Sequence, residues 1–326
     1  MMAGDAPLIR LNNGIEVTGE TKCYFDPRRI KADAINCISH AHSDHLPKSF
    51  ESNKAIASTV TLRCASERVK RTIEPDRSDR VEMHDAGHII GSQMFLLKDS
   101  QKVLYTGDLC PQDRMGMIGA RPVKTDTLLI EATYGRPRYV FPHRDEIAKV
   151  MRDWVEDNLA QGHPVALMTY ALGKSQVLAR FFSDLEPYLH GSVWSNTKIV
   201  EECCGDPYSC RCYDAEKMDG PLLMICPMER RASDFRSYWQ KRGMRFAVVT
   251  GWVMDGWWKR SYGVDEGFPL SDHADFPELI EFVRGCSPSR VYTTHGFSEE
   301  LAVSIQDKLG IEAIPLKRKQ RSLVDF

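Results

Sequence analysis

This sequence of 326 residues lacks several things, and each absence narrows its class. No apolar run approaches the roughly 20 residues needed to cross a bilayer, so no membrane association is expected. The N-terminus, MMAGDAPLIRLNNG, has no basic-then-apolar leader pattern, and a cytoplasmic location is expected. Ten cysteines are too dilute for a secreted disulfide scaffold, so reduced thiols are the default. There are no internal repeats and no low-complexity linker. A net charge of −2 does not advertise a polyanion binder. What remains is ordinary globular composition, 42% hydrophobic and 27% charged, with enough chain for about two domains.

The charge is uneven. Pro227 to Tyr262 carries eight basic residues (Arg230, Arg231, Arg236, Lys241, Arg242, Arg245, Lys259, Arg260) against three acidic ones. The tail Lys317-Arg318-Lys319-Gln320-Arg321 is also basic, though as a solvated surface it needs no ligand. A local basic wall can hold a polyanion while the whole chain stays near neutral.

Apolar runs of strand length alternate with helical patterns, which predicts an α/β fold. AINCIS, SQMFLLK, KVLYTGD, DTLLIEA, PLLMICP, RFAVVTG and SRVYTTHG read as strands, with a hairpin turn at Asp99-Ser100-Gln101. Ile147, Val150, Met151, Trp154 and Val155 fall at helical spacing, predicting a helix over roughly 144–158. PVALMTYALGKSQVLARFF reads as strand, glycine turn and helix. FPELIEFV is helical. SEELAVSIQDKLG is a helix whose expected N-cap is Ser298, without a full capping box because Leu301 stands three residues on.

The polar residues fall at the ends of these strands. AINCIS ends at His40, KVLYTG at Asp108, TLLI at Glu131 and RVYTT at His295. Side chains of ligand type at strand ends are how α/β proteins build a site along one sheet edge. The densest stretch is His40-Ala41-His42-Ser43-Asp44-His45. Alanine and serine are small spacers that let neighbouring side chains face two centres. Imidazole nitrogen and carboxylate oxygen suit zinc or a similar divalent ion. Three histidines and one aspartate begin two sites and complete neither. His88, in AGHIIGS, Asp108, in TGD, and His295, in THG, are the candidate partners. HxHxDH followed in order by GHxxGS, TGD and THG is a far more specific signal than a lone HxH pair.

These motifs resemble the metallo-β-lactamase fold in its β-CASP nuclease branch, over nearly the whole chain. Glu131-Ala132-Thr133-Tyr134-Gly135 resembles the first β-CASP motif, Ser271-Asp272-His273-Ala274-Asp275 the second and Thr294-His295-Gly296 the third. Ala132 departs from the more usual Ser or Thr. The short length, ALGKSQ and GWVMDGWWKR look most like the small exonuclease-like proteins associated with bacterial DNA ligases and their archaeal mRNA-processing relatives. The resemblance implies an αββα sandwich from residues 1–135 and 269–326, with a β-CASP cap inserted at 136–268. It implies two divalent metal ions, zinc first and manganese second. One would be held by His40, His42, His88 and Asp108. The other would be held by Asp44, His45, Asp108 and His295.

The implied reaction is hydrolysis of nucleic-acid phosphodiester bonds, with exonuclease action in DNA repair or RNA processing. A hydroxide activated by the two metals attacks phosphorus, Asp44 helps to orient it, and His273 protonates the leaving oxygen with Glu131 beside it. Asp272 and Asp275 are candidates for support behind the site. Asp26 matches an acidic position that supports the histidine loop, though an aspartate before proline is as readily a plain turn residue. Lys174 at a helix start, and Lys259 with Arg260 after Trp257-Trp258, are the candidate contacts to single-stranded DNA or RNA. Arg136, Arg138 and His143 are weaker candidates. A DNA ligase or another repair or processing protein is the implied partner. Two readings compete: a thioester or lactam hydrolase on the same fold, and a non-catalytic scaffold of a processing complex. Neither calls for the full set of ligands together with a Glu131–His273 pair. Cys203, Cys204, Cys210 and Cys212 could clamp a structural zinc, but CC-x5-CxC is not ribbon spacing, and unrelated thiols or a local disulfide remain open. His84, His163 and His190 read as structural.

Overall fold

The computed structural model describes residues 7–214, 220–228 and 234–317. The basic residues Arg230 and Arg231, and Arg318 to Arg321 of the tail, lie outside the described residues. The chain divides into two compact units. The first comprises Met1–Gln112, Ile118–Val140 and His273–Phe326, and the second Asp113–Met117 and Phe141–Asp272. Among the described residues, no helix is long and apolar enough to cross a membrane.

The first unit is built on two sheets. The smaller pairs Leu8–Leu11, Ile15–Thr18, Lys22–Phe25 and Ile35–Cys37 in that order. The larger has the spatial order Glu312–Pro315, Arg290–Thr294, Thr127–Glu131, Lys102–Tyr105, Gln93–Lys98, Val81–Asp85. Strand side chains alternate between faces, and Gln93–Lys98 shows the consequence. Phe95 and Leu97 pack with Ile15, Val17 and Phe25 of the smaller sheet. Met94 and Leu96 pack on the opposite face with Leu279, Val283, Leu301 and Ile305. Those four come from the helices Phe276–Cys286 and Ser298–Leu309. A sheet covered on both faces needs apolar residues at consecutive positions, which is why these strands read as unbroken apolar runs.

Strand direction collects the polar ends. Lys102–Tyr105, Thr127–Glu131 and Arg290–Thr294 run parallel, with Glu131 opposite Thr294. Their C-terminal ends therefore share one edge. The antiparallel pairing of Gln93–Lys98 with Lys102–Tyr105 brings the 86–92 loop, which carries His88, to that same edge. The hairpin turn at Asp99-Ser100-Gln101 is as expected, with Lys98 opposite Lys102.

The second unit has a six-stranded sheet whose neighbours all pair in parallel. The helix Arg144–Ala160 runs two residues beyond the expected end. Its Met151 and Val155 are fully buried against Val165, Leu167 and Ile225. Val150 is exposed, so it does not belong to the apolar face inferred from spacing.

One cap differs from the sequence reading. Ser298 is the first helical residue of Ser298–Leu309, and the N-cap is Phe297, which makes no side-chain cap bond. The complete capping box belongs to the preceding helix instead. There Asp275 Oδ1 accepts from Glu278 N, and Glu278 Oε2 accepts from Asp275 N. Asp275 thus caps a helix, satisfying backbone donors that would otherwise be orphaned.

Candidate metal centre

The histidine loop is held in place by backbone constraints on every side. His45 N donates to His42 O at 3.0 Å, closing the turn that the small spacers allow. Gln93 N donates to Ser39 O at 2.8 Å, tying the loop to the larger sheet. Cys110 N donates to Ala86 O at 2.9 Å, joining the segment after Asp108 to the His88 loop. Two glycines are forced. A Cβ at Gly107 (φ +54°) would meet the Ser39 Cβ at 2.6 Å, and one at Gly296 (φ +44°) would meet the Ala132 carbonyl at 2.3 Å. Asp26 (φ +47°) and His295 (φ +60°) also adopt left-handed backbone, a conformation that costs free energy and collects at functional sites.

Three sets of donor atoms converge in the first unit, each with all its atoms within 4.8 Å of one another. They are His40, His42, His88 and Asp108; His45, Asp108 and His295; and Asp108, Glu131 and His273. Asp108 belongs to all three. Its Oδ2 lies 3.5 Å from Nε2 of His40, 3.5 Å from Nε2 of His45 and 3.7 Å from Nε2 of His88. Those separations exceed hydrogen-bond length, as expected of ligands arranged around a common centre. His40 Nε2 is fully buried and has no hydrogen-bond partner. An orphaned buried nitrogen beside a carboxylate and two further imidazoles is the condition that a bound cation relieves. The donor chemistry fits a divalent metal ion.

Protonation follows the same logic. Burial, reinforced by the neighbouring histidines, pushes the His40 pKa well below the ordinary range and favours the neutral, ligating form. Burial also opposes charge on His45, but Asp108 and Asp26 outweigh it and raise that pKa to about 10. Without a metal, then, a proton occupies His45. For Asp108 burial pulls upward, and His45, His273, His88 and His295 together hold the carboxyl far below its usual range. His295 is exposed as a residue, but the groups packed around its ring desolvate it and, with His45, lower its pKa.

Asp44 stands apart from the expected set. Its carboxylate is largely exposed, lies 3.7 Å from His45 Nε2, and belongs to none of the three groups. It does line a cavity of about 250 Å³ together with Asp26, His45, Tyr105 and His295.

His273 and Glu131 meet closely. His273 Nδ1 lies 2.9 and 3.0 Å from the two Glu131 oxygens. Glu131 is fully buried and also accepts from Leu109 N at 2.7 Å. Its carboxylate is thereby fixed and leaves the other ring nitrogen of His273 outside this contact. The His273 ring packs 4.4 Å from that of His88, centroid to centroid.

The candidate substrate contacts fare differently. Lys174 opens the helix Lys174–Phe181 but is buried, with Nζ 3.4 Å from Asp272 Oδ2. Arg114 Nη2 lies 3.5 Å from the other Asp272 oxygen. The structure gives Lys174 an internal ion pair rather than the open phosphate-facing position inferred from its helix start, and Asp272 is its partner within the second unit. Lys259 and Arg260 are exposed on a turn of π-helix, Lys259–Gly263. Trp257 is half exposed. Trp258 packs into the core, its ring meeting any Cβ placed on Gly267 at 2.6 Å. Arg136 is engaged by Glu300 and lies over the Phe297 ring at 3.8 Å. Arg138 donates to Tyr139 at 2.8 Å. His143 is the N-cap residue of Arg144–Ala160. None of the ten cysteines forms a disulfide. Cys203, Cys204, Cys210 and Cys212 form no metal-type cluster among the described residues.

Sequence reasoning missed Ser39 and Tyr105, both hydrogen-bonded to Asp26. The available signal was position: one directly precedes His40, and the other ends the strand before Asp108.

Comparison with known proteins agrees with this geometry. Residues 266–315, which include His273 and His295, match the family model described as "Zn-dependent metallo-hydrolase RNA specificity domain". The chain is 34% identical over 293 residues to "Probable DNA ligase" of Opitutus terrae, covering 85% of this chain and 28% of that protein. It is 24% identical over 327 residues to "DNA cross-link repair 1A protein" of Gallus gallus, covering 89% and 33%. It is 22% identical over 280 residues to "Endoribonuclease YSH1" of Candida albicans, covering 67% and 32%. The chain therefore spans about a third of the length of these relatives.

Proposed function

The chain belongs to the β-CASP nuclease family of the metallo-β-lactamase fold, and from that premise we propose that it is a metal-dependent nuclease of DNA repair or RNA processing. The observation that carries the reading is the Glu131–His273 pair set against the Asp108-centred donor cluster. Hydrolysis of a thioester does not call for an oriented proton donor of this kind, because a thiolate leaves unprotonated. Phosphodiester cleavage does, because an alkoxide leaving group is poor without a proton.

His40, His42, His88 and Asp108 would hold one divalent ion, and His45, Asp108 and His295, with Asp44 at the rim, a second. Zinc is the first choice for this donor set and manganese the second. Bound there, the ions supply Lewis acidity and a nucleophile at neutral pH. The residues do the rest. Glu131 accepts from Nδ1–H of His273 and holds its ring in one orientation. The Nε2–H of His273 then delivers the proton to the departing sugar oxygen. In the second unit, exposed Lys259 and Arg260 neutralise backbone phosphates, and Trp257 offers a face for base stacking. Exonuclease action is assigned from the likeness to ligase-associated exonucleases. A cytoplasmic setting, with a ligase as the candidate partner, completes this reading.

A panel of substrates tests this reading. Zinc- or manganese-loaded protein is offered labelled single-stranded DNA, labelled RNA, a thioester and a β-lactam. Turnover of a nucleic acid alone is expected. Turnover of the thioester or lactam alone would replace the reading with a small-molecule hydrolase. Tight nucleic-acid binding without any turnover would replace it with a scaffold.

A further inference from the structure

Two buried hydroxyls stand behind the histidine loop, and the chemistry above gives them no task. Both end on Asp26. Its Oδ1 accepts from Ser39 N, and its Oδ2 accepts from Ser39 Oγ, His45 Nδ1 and Tyr105 Oη, each at 2.7 Å. Asp26 reaches this position through its left-handed backbone, with φ +47°.

Counting protons fixes the direction of every bond. A carboxylate oxygen with three donors only accepts. Ser39 has one hydroxyl proton, and Asp26 takes it. The lone pairs of Ser39 Oγ then face His40 Nδ1, 3.0 Å away, so that nitrogen carries the hydrogen. The His40 lone pair is thereby placed on Nε2, the buried atom without a hydrogen bond. In the same way His45 gives its Nδ1–H to Asp26 and turns Nε2 toward Asp108. Tyr105 is buried, and burial with Asp26 beside it raises its pKa well above the ordinary value, so it stays a donor. One carboxylate thus sets a donor in the His40 group and another in the His45 group.

We propose that Ser39 and Tyr105 are positioning residues that act through Asp26 to fix the tautomers of His40 and His45, and so tie cation affinity at one group to cation affinity at the other. This rests on the reading that both groups hold divalent ions, but not on what the protein cleaves.

The test uses the full chain, stripped of metal and titrated with zinc against a competing chromophoric chelator. Ser39→Ala and Tyr105→Phe are each expected to weaken both binding steps by about 10- to 100-fold. Ser39→Thr keeps the hydroxyl and is expected to bind like the wild type. Thermal melting of the metal-free proteins separates this from a merely structural role. Lowered melting temperatures with unchanged zinc affinity would overturn the proposal, as would weakening confined to one step. Wild-type protein that takes up no zinc would overturn the underlying reading as well.

Discussion

The two units place their polar residues in opposite ways. In the first, the groups at the centre of the site are buried and multiply constrained: Glu131 is inaccessible, Asp108 is encircled by imidazoles, and Asp26 accepts four hydrogen bonds. In the second, Lys259, Arg260 and Trp257 are exposed on one short turn. Two of its buried cations, Lys174 and Arg114, are directed to Asp272. The contrast separates two kinds of work. Reacting groups need positions fixed to fractions of an ångström, whereas contacts to a polyanion need only charge within a Debye length.

Substitutions can break or sharpen that contrast. The largest effect is expected from Asp108→Ala, which removes the carboxylate common to all three donor groups. Elemental analysis should find metal lost, and cleavage should fall below detection. His273→Ala should lower turnover about 10²- to 10⁴-fold with metal content unchanged; normal cleavage would dismiss it as the proton donor. Lys174→Met leaves Asp272 in a buried setting without one of its cations. A stability loss of about 3–5 kcal/mol is expected by chemical denaturation, with zinc affinity intact. In contrast, Lys259→Ala with Arg260→Ala should leave stability and metal untouched. It should raise KM several-fold and flatten the salt dependence of KM by roughly one unit of log–log slope per charge removed.

The smallest effect is a proton. A His45 pKa of about 10 means the metal-free ring is charged at pH 7.5, above the ordinary value near 6.5 for imidazole. Zinc must displace that proton. Calorimetry in buffers of different ionisation enthalpy should therefore show proton release from this site, and zinc affinity should rise with pH until His45 deprotonates near pH 10. Zinc uptake at the His45 group with no proton release would contradict the raised pKa.

Much of the first unit was legible because its signals are discrete. Histidines spaced HxHxDH, and strands ending in His40, Asp108, Glu131 and His295, can be read without knowing the tertiary arrangement. Parallel pairing then puts those ends on one edge. Ser39 and Tyr105 were not legible, since a lone hydroxyl carries no pattern until the fold brings it to Asp26. Lys174 shows a related limit. A lysine at a helix start looks like a phosphate contact, but Asp272, 98 positions away in sequence, is its partner. Ser298 looked like a cap by residue type, while the backbone put the cap at Phe297. Val150 fitted the helical spacing and still faces solvent, because spacing locates a stripe but not its width.

The most direct test is a cleavage time course on matched 5′-labelled single strands, one of DNA and one of RNA. Zinc or manganese is added in turn, with Asp108→Ala as control. Metal-dependent cleavage by the wild type of at least one strand, absent from the control, is expected, and the product ladder would report exonuclease or endonuclease action. Intact strands of both kinds, from protein shown to carry its metal, would contradict the nuclease assignment.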